Sequence, residues 1–547
     1  MPGILLVSGG DAFARRVMRK ERRAYWSKAL GVVLEKHGYL EIQDAGSEAL
    51  SDPRTFSERD AVLVARLPAD SFDSDFAACV EQGRAGVLLE GPLSRPVEEA
   101  LGVRTSAPVP RVGEVTVVDA RLSACAGHLG VPLAGRLTEP RSRPISRDPA
   151  FDWRALKATP LTEPQADAWG ASGWDAARWT VDDRTETLAT WRTQGAASPS
   201  PGIVRRGKLV GCSFGLFAFL AQRHSSEPFQ GAEHRATDRT VGIESILLAL
   251  LDLFHRDAGR VRHRVMPWPK GKRWALSVRH DFDRPLWSPR VAATLRRHAR
   301  VGTAATWYWR SQRTPGRAIS LVAADPRHEV ALHTERVWAH GGDEERVRVE
   351  AAAGGAVRGS SAHGTWESFR FQGAPNVLWA HEQGLLYTEL IEQAHFHPHR
   401  FPALAADGSM SVLDIICLPH HESFELSYRN WSGSEADRIA AAWGEWRARR
   451  GFMQIMNHPD RNARKMFRIL RSIPAEERLD CTAEQAAEWW RRSHVATELT
   501  LRSRSDGSVE LLSRSGVRDL VLESLNPDGT RCERTFNLEP GRIVRSS

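Results

Sequence analysis

From Trp274 to about residue 458 the chain repeats one rhythm: a short apolar run, a tight turn, an amphipathic run, another turn. The runs "WALSVRHD", "TAATWYWR", "HEVALHTE", "VRGSSAHG", "LLYTEL" and "FMQIMNHPD" read as strands. Between them "SPRVAATLRRHARVG", "DEERVRVEAAAGG", "APNVLWAHEQG" and "SEADRIAAAWGEWRARRG" read as helices. Connections this short imply parallel strands, and several such units in one segment predict an α/β barrel. In α/β barrels the chemistry sits at the carboxyl ends of the strands. The polar residues expected there are Asp281, Asp283, His333, His363, Asp414 and His458.

The first strand carries the densest cluster. "WALSVRHDFDRP" runs five mostly apolar residues and then places Arg279, His280, Asp281 and Asp283 within five positions. Carboxylates and an imidazole this close repel or shift one another's pKa unless a cation or a proton-transfer task holds them together. Asp281 and Asp283 point to the same side if the strand stays extended.

The remaining residues exceed what one core can absorb. At 547 residues the chain divides into three expected parts: 1–265, 266–493 and 494–547. The first part alternates strand and helix signals up to about residue 105 and reads as an open α/β domain. Its pattern is similar to class I glutamine amidotransferases or flavodoxin-like domains. Those amidotransferases use a cysteine on a strand-to-helix turn, whereas Cys79 falls inside the helix "SDFAACVEQG". The domain is therefore expected to be non-catalytic. "GIVRRGKLVGC" reads as a hairpin around Arg206 and Gly207, and "MPWPKGKRW" as the linker to the barrel. The tail alternates apolar and polar residues around Asp-Gly turns and predicts a small antiparallel β domain.

Composition excludes several classes. Hydrophobic content of 41% and charged content of 26% are those of a globular chain. The formal charge of +8 comes from 67 Arg against 8 Lys spread over the whole length, without the clustered basic face that nucleic acid requires. Six separated cysteines form no CxxC pair. No stretch reaches the ~18 apolar residues of a membrane span, and the N-terminal apolar run is short for a signal sequence. The expected location is cytoplasmic, and the sequence leaves the oligomeric state open.

"RHDFDRP", "HEVALHTE", "GSSAHG" and "NHP", in this order, resemble the polysaccharide deacetylase superfamily, with the NodB-homology fold of carbohydrate esterase family 4 and its relatives. Within it they resemble the branch whose first motif is HDxD. The resemblance covers about residues 266–490. It implies a distorted (β/α) barrel that hydrolyses N- or O-acetyl groups from sugars with one divalent metal. Zinc is expected ahead of cobalt, nickel or manganese. Carried across, Asp281 matches the general base, Asp283 and His333 match metal ligands, and His458 matches the histidine that acts as general acid. The family's second ligand histidine falls at position 337, where this chain has Val337, and His363 is the replacement expected. Arg358 is the approximate counterpart of the substrate-positioning arginine.

Other residues have weaker claims. Trp307, Trp309 or Trp338 could stack on a sugar ring, although core packing is the commoner use. His395, His397 and His399 of "HFHPHR" share one face of any strand, but Pro398 argues for a loop on the solvent or substrate side. His420 and His421 of "LPHHE" are expected to line the same end as Asp281. The expected function is a metal-dependent hydrolase removing acyl groups from a carbohydrate or glycan precursor. The alternative, supported by Val337, is a deacetylase-like protein that binds or assembles glycan without turnover.

Overall fold

The computed structural model describes residues 3–10, 27–65, 67, 71–72, 75–91, 93–109, 114–126, 134–136, 176–192, 198–217, 220, 224, 237–282, 287–310, 316–334, 342–362, 374–391, 396–404, 410–420, 443–444, 446–459 and 463–546. Among these residues an N-terminal sheet orders nine strands as Ile42–Ala45, Ile4–Val7, Ala61–Val64, Gly86–Glu90, Leu209–Cys212, Ser200–Arg206, Glu186–Arg192, Glu114–Val117 and Ala134–Arg136. The first five run parallel; the others join antiparallel. Ile4–Val7, Ala61–Val64 and Gly86–Glu90 are buried along their whole length, as parallel strands covered on both faces must be. Cys79 does lie in a helix, Phe76–Gln82. Cys212 is enclosed at a strand end, and burial pushes its thiol well above the ordinary range, with Phe214 O accepting from Sγ at 3.2 Å.

The central sheet holds eight strands in line among the described residues: β1 (Trp274–Phe282), β2 (Ala305–Trp309), β3 (His328–Thr334), β4 (Gly359–Ala362), β5 (Tyr387–Ile391), β6 (His399–Leu404), β7 (Met410–His420) and β8 (Phe452–Asn457). Their order is β6-β7-β5-β4-β3-β2-β1-β8. All neighbours are parallel except β6 and β7. The last strand lies beside the first, with His280 opposite Asn457. The described ladders do not close the sheet into the expected barrel: they end at β6 and β8. One backbone bond, Phe452 N to Phe396 O at 2.6 Å, links a residue three before β6 to β8.

Strand alternation sorts the side chains of this sheet. Trp274, Leu276, Val278, Phe282, Trp307, Trp309 and Leu332 join the helices in one core. The opposite face carries Ala275, Tyr308, Ala331, Tyr387 and Phe452, interleaved with Arg279, Asp281, Glu329, His333, Glu389 and Gln454. That second face builds the site.

Two elements depart from the sequence reading. Asp414 was expected to end a strand, but β7 continues six residues past it to His420, so Asp414 sits mid-strand. His397 and His399 of "HFHPHR" do not line an open loop. His397 and His399 are 7% and 1% exposed and meet His37 and His224 of the N-terminal part, with ring centroids 5.5 and 5.4 Å apart. Lys36 joins that cluster, with Nζ 3.0 Å from His224 Nε2 and 2.8 Å from Glu244; His395 lies outside the described residues.

The C-terminal residues form two antiparallel three-stranded sheets. One of them recruits Arg262–Val265, the last residues assigned to the first part, as a partner of Val517–Leu525. The Pro/Gly linker that follows is packed, with Trp268 1% exposed and its Nε1 donating to Arg450 O at 2.7 Å.

Candidate active site

Arg279 and Asp281 share a face of β1 because they are two residues apart on an extended strand. They pair side by side: Nε donates to Oδ1 at 2.5 Å and Nη2 to Oδ2 at 2.6 Å. Both are buried, at 1% and 2% exposure. Burial alone would raise the Asp281 pKa. The Arg279 guanidinium, with His333 and His458, overrides it and holds the carboxyl down at about 2. Arg279 loses some of its proton affinity to burial, but Asp281 and Glu389 more than restore it, so it stays charged.

His333 enters from β3, with Nε2 3.7 Å from Asp281 Oδ2. It is reached through β2, since β1, β2 and β3 are consecutive neighbours. His458 follows Asn457, the residue opposite His280, so it comes level with Asp281 one step further along the paired strands. It is 6% exposed. Three of the expected site residues, Asp281, His333 and His458, are thus gathered at the carboxyl end of one sheet face. His280, between Arg279 and Asp281, turns to the other face. There its Nε2 lies 2.7 Å from His298 Nε2, and burial pushes its pKa down to about 3, which keeps the ring neutral.

Other expectations meet the coordinates differently. Trp307 cannot stack on a sugar: it is 0% exposed, packed 5.6 Å from Phe282, with its Nε1 donating to His328. Trp309 is equally enclosed, 3.8 Å from Phe282. Both side chains face the helix layer because alternation puts them on the same side of the sheet as Phe282. Arg358 is also misplaced for a substrate contact. It immediately precedes β4 and so lies at the amino end, where Nη1 pairs with Glu484 at 3.2 Å and Glu488 at 2.6 Å. His420 ends β7 opposite Ile391, at the carboxyl end. Asp283, Val337, Trp338, His363, His421 and Glu422 lie outside the described residues.

The sequence reading missed the layer beneath Asp281. Glu389 of β5 accepts from Arg279 Nη1, Tyr308 Oη and Gln454 Nε2. Tyr308 Oη lies 3.2 Å from Tyr387 Oη, which donates to Glu329 at 2.6 Å. Glu329 also accepts from Thr306 at 2.9 Å and from the backbone N–H of Glu484 at 2.9 Å, near the start of the helix Ala483–His494. Burial raises Glu329 to about 8, more than its hydrogen bonds lower it. A polar column therefore runs through the sheet face from the helix N-terminus to Asp281. The signal was in the sequence: Arg279 two before Asp281, and Tyr387 two before Glu389, each pair on one strand face.

Two carboxylates, Asp281 and Glu389, share the single guanidinium of Arg279. Among the described residues no group of three His, Cys, Asp or Glu side chains is gathered for a metal. Nor is any helix among them long and apolar enough to cross a membrane.

No family model matches the chain. No curated protein matches it either. Solved structures do. A Mycobacterium smegmatis protein described as a polysaccharide deacetylase is 19% identical over 42% of this chain and 93% of its own, with a TM-score of 0.31. A Bacillus cereus polysaccharide deacetylase is 10% identical over 38% of this chain and 91% of its own, at 0.26. A Thermotoga maritima glutamine amidotransferase is 11% identical over 46% of this chain and 97% of its own, at 0.25. At these identities and scores the likeness assigns no activity.

Proposed function

We propose that the chain is a hydrolase that removes acetyl groups from a carbohydrate. The observation that supports it is the desolvated Asp281, paired with Arg279 and 3.7 Å from His333, at strand ends that also carry His458. Hydrolysis of an amide or ester needs a base for the attacking water and an acid for the leaving group. Asp281 accepts the water's proton as the new C–O bond forms. His458 donates a proton to the leaving nitrogen or oxygen as the old bond breaks, releasing acetate and the free amine or hydroxyl.

A carboxyl held at about 2 is a weak base. It can accept a proton only from a water already made acidic. A divalent cation supplies that acidity when bound, lowering the pKa of a bound water toward neutrality. Asp283, His333 and His363 are the proposed ligands; His333, the one among them within the described residues, has Nε2 3.7 Å from Asp281 Oδ2. Arg279 favours the ionised form of Asp281, the form a general base needs.

Acetate release from N-acetylated and O-acetylated oligosaccharides, with and without chelator, tests the reading; no release with any of zinc, cobalt, nickel or manganese added would sink it. His458→Ala should slow release from an amide far more than from an activated aryl ester, whose leaving group needs little protonation. Equal losses on both would remove His458 from the acid role. Val337, at the position of the family's second ligand, favours the second reading of a glycan-binding protein without turnover. A purified protein without stoichiometric metal that still binds oligosaccharide would establish it.

A further inference from the structure

One carboxylate of the polar column lies too deep to meet a substrate yet controls the residue that holds Asp281. Glu389 has a side chain 0% exposed. Its Oε2 accepts from Arg279 Nη1, and its Oε1 accepts from both Tyr308 and Gln454. The donors come from β1, β2 and β8, so three strands converge on one carboxylate of β5. Arg279 directs Nε and Nη2 the other way, to Asp281.

We propose that Glu389 is a positioning residue: it grips the inner edge of the Arg279 guanidinium so that the outer edge presents two fixed donors to Asp281. This rests on the reading of Asp281 as the catalytic base. A guanidinium is planar, and its forks lie in fixed directions. Without the contact on its inner edge, at the end of a long flexible side chain, it could tilt with the Asp281 carboxylate. Gripped on the opposite edge by a carboxylate that is itself pinned by Tyr308 and Gln454, it has one orientation. Asp281 then inherits that orientation through its two-pronged pair, and both oxygens keep one direction relative to His333.

The decisive variant is Glu389→Gln, which keeps a carbonyl oxygen for Tyr308 and Gln454 and removes the charge that faces Arg279. The expected result is a kcat for acetate release lowered by up to about 100-fold, the scale set by small misplacements of reacting groups, with KM within about twofold. A crystal structure of the same variant should show the guanidinium rotated and the two-pronged contact to Asp281 lost. Wild-type kcat with that contact intact overturns the proposal. If Glu389→Gln does not fold, Tyr308→Phe removes one of the donors that pin Glu389 without changing charge; it should lower kcat several-fold at unchanged KM, and an unaltered kcat overturns the proposal. If the wild-type protein releases no acetate from any substrate, the deacetylase reading fails by itself, and the contact seen in the Glu389→Gln crystal still decides the positioning.

Discussion

Asp281 and Asp283 stand two residues apart, and the proposed chemistry gives them different work. Asp281→Asn should abolish turnover while leaving metal content nearly intact, whereas Asp283→Asn should reduce both. Metal content by atomic emission beside kcat checks this, and equal metal loss in the two variants contradicts the assignment. Glu329 makes a prediction about pH. Its carboxyl is raised in the folded chain to about 8, first by burial, against an ordinary value of 4.5. Between those values the unfolded chain has released the proton and the folded chain has not, so stability falls as pH rises through that window. The slope approaches about 1.4 kcal/mol per pH unit for one proton. Glu329→Gln should flatten that decline relative to the wild type in urea unfolding measured from pH 5 to 8; parallel curves would show that Glu329 is ionised in the fold.

At the scale of elements, the polar column depends on how closely neighbouring strands approach. Gly359 opens β4, and a Cβ placed there would lie 1.9 Å from Tyr387 Cζ on β5. The glycine is needed for space, not for an unusual backbone angle. Gly359→Ala should push the Tyr387 ring away from Glu329 and cost about 1–3 kcal/mol, as overpacking does in well-filled cores. Chemical denaturation measures it, and a change below 0.5 kcal/mol would show that β4 and β5 can separate freely. The strands and helices of the central sheet were legible because period-two and period-3.6 patterns come from burial on one face. What each face buries was harder to read. Trp307 and Trp309 carry the chemistry of sugar stacking, but alternation from Phe282 turns them to the helices. Arg358 sits in the right motif region but one residue before its strand, at the wrong end.

At the scale of the whole molecule, one ion cluster ties the first part to the third. Arg262 meets Asp252 of the helix Thr237–Asp257 at 2.9 Å and Glu523 of the strand Val517–Leu525 at 3.3 Å, and Glu523 also meets Arg264 and Arg531 at 2.8 Å each. Arg262, Arg264 and Glu523 are all under 10% exposed. Glu523→Ala should leave buried guanidinium groups short of a counter-charge and cost about 3–5 kcal/mol. Glu539→Gln, which breaks the exposed pair with Arg542, should change stability by less than about 0.5 kcal/mol. Similar midpoints for the two variants in guanidinium unfolding would mean that the cluster does not couple the parts.

By itself the sequence determined the α/β rhythm, the parallel order of most strands, and the meeting of Asp281 with His333 and His458, because strand ends in a parallel sheet share one edge. It also determined that Cys79 lies in a helix. Only the tertiary structure decided which partners those residues acquire. Glu389 is 110 residues from Arg279 in the chain, and no local pattern announces that β5 will set its carboxylate against β1. Likewise Arg262–Val265 reads as the end of the first part, yet it joins a sheet formed more than 250 residues later, opposite Leu525 and Leu522. Periodicity reports which face of an element is buried; it carries no information about what arrives from elsewhere to bury it.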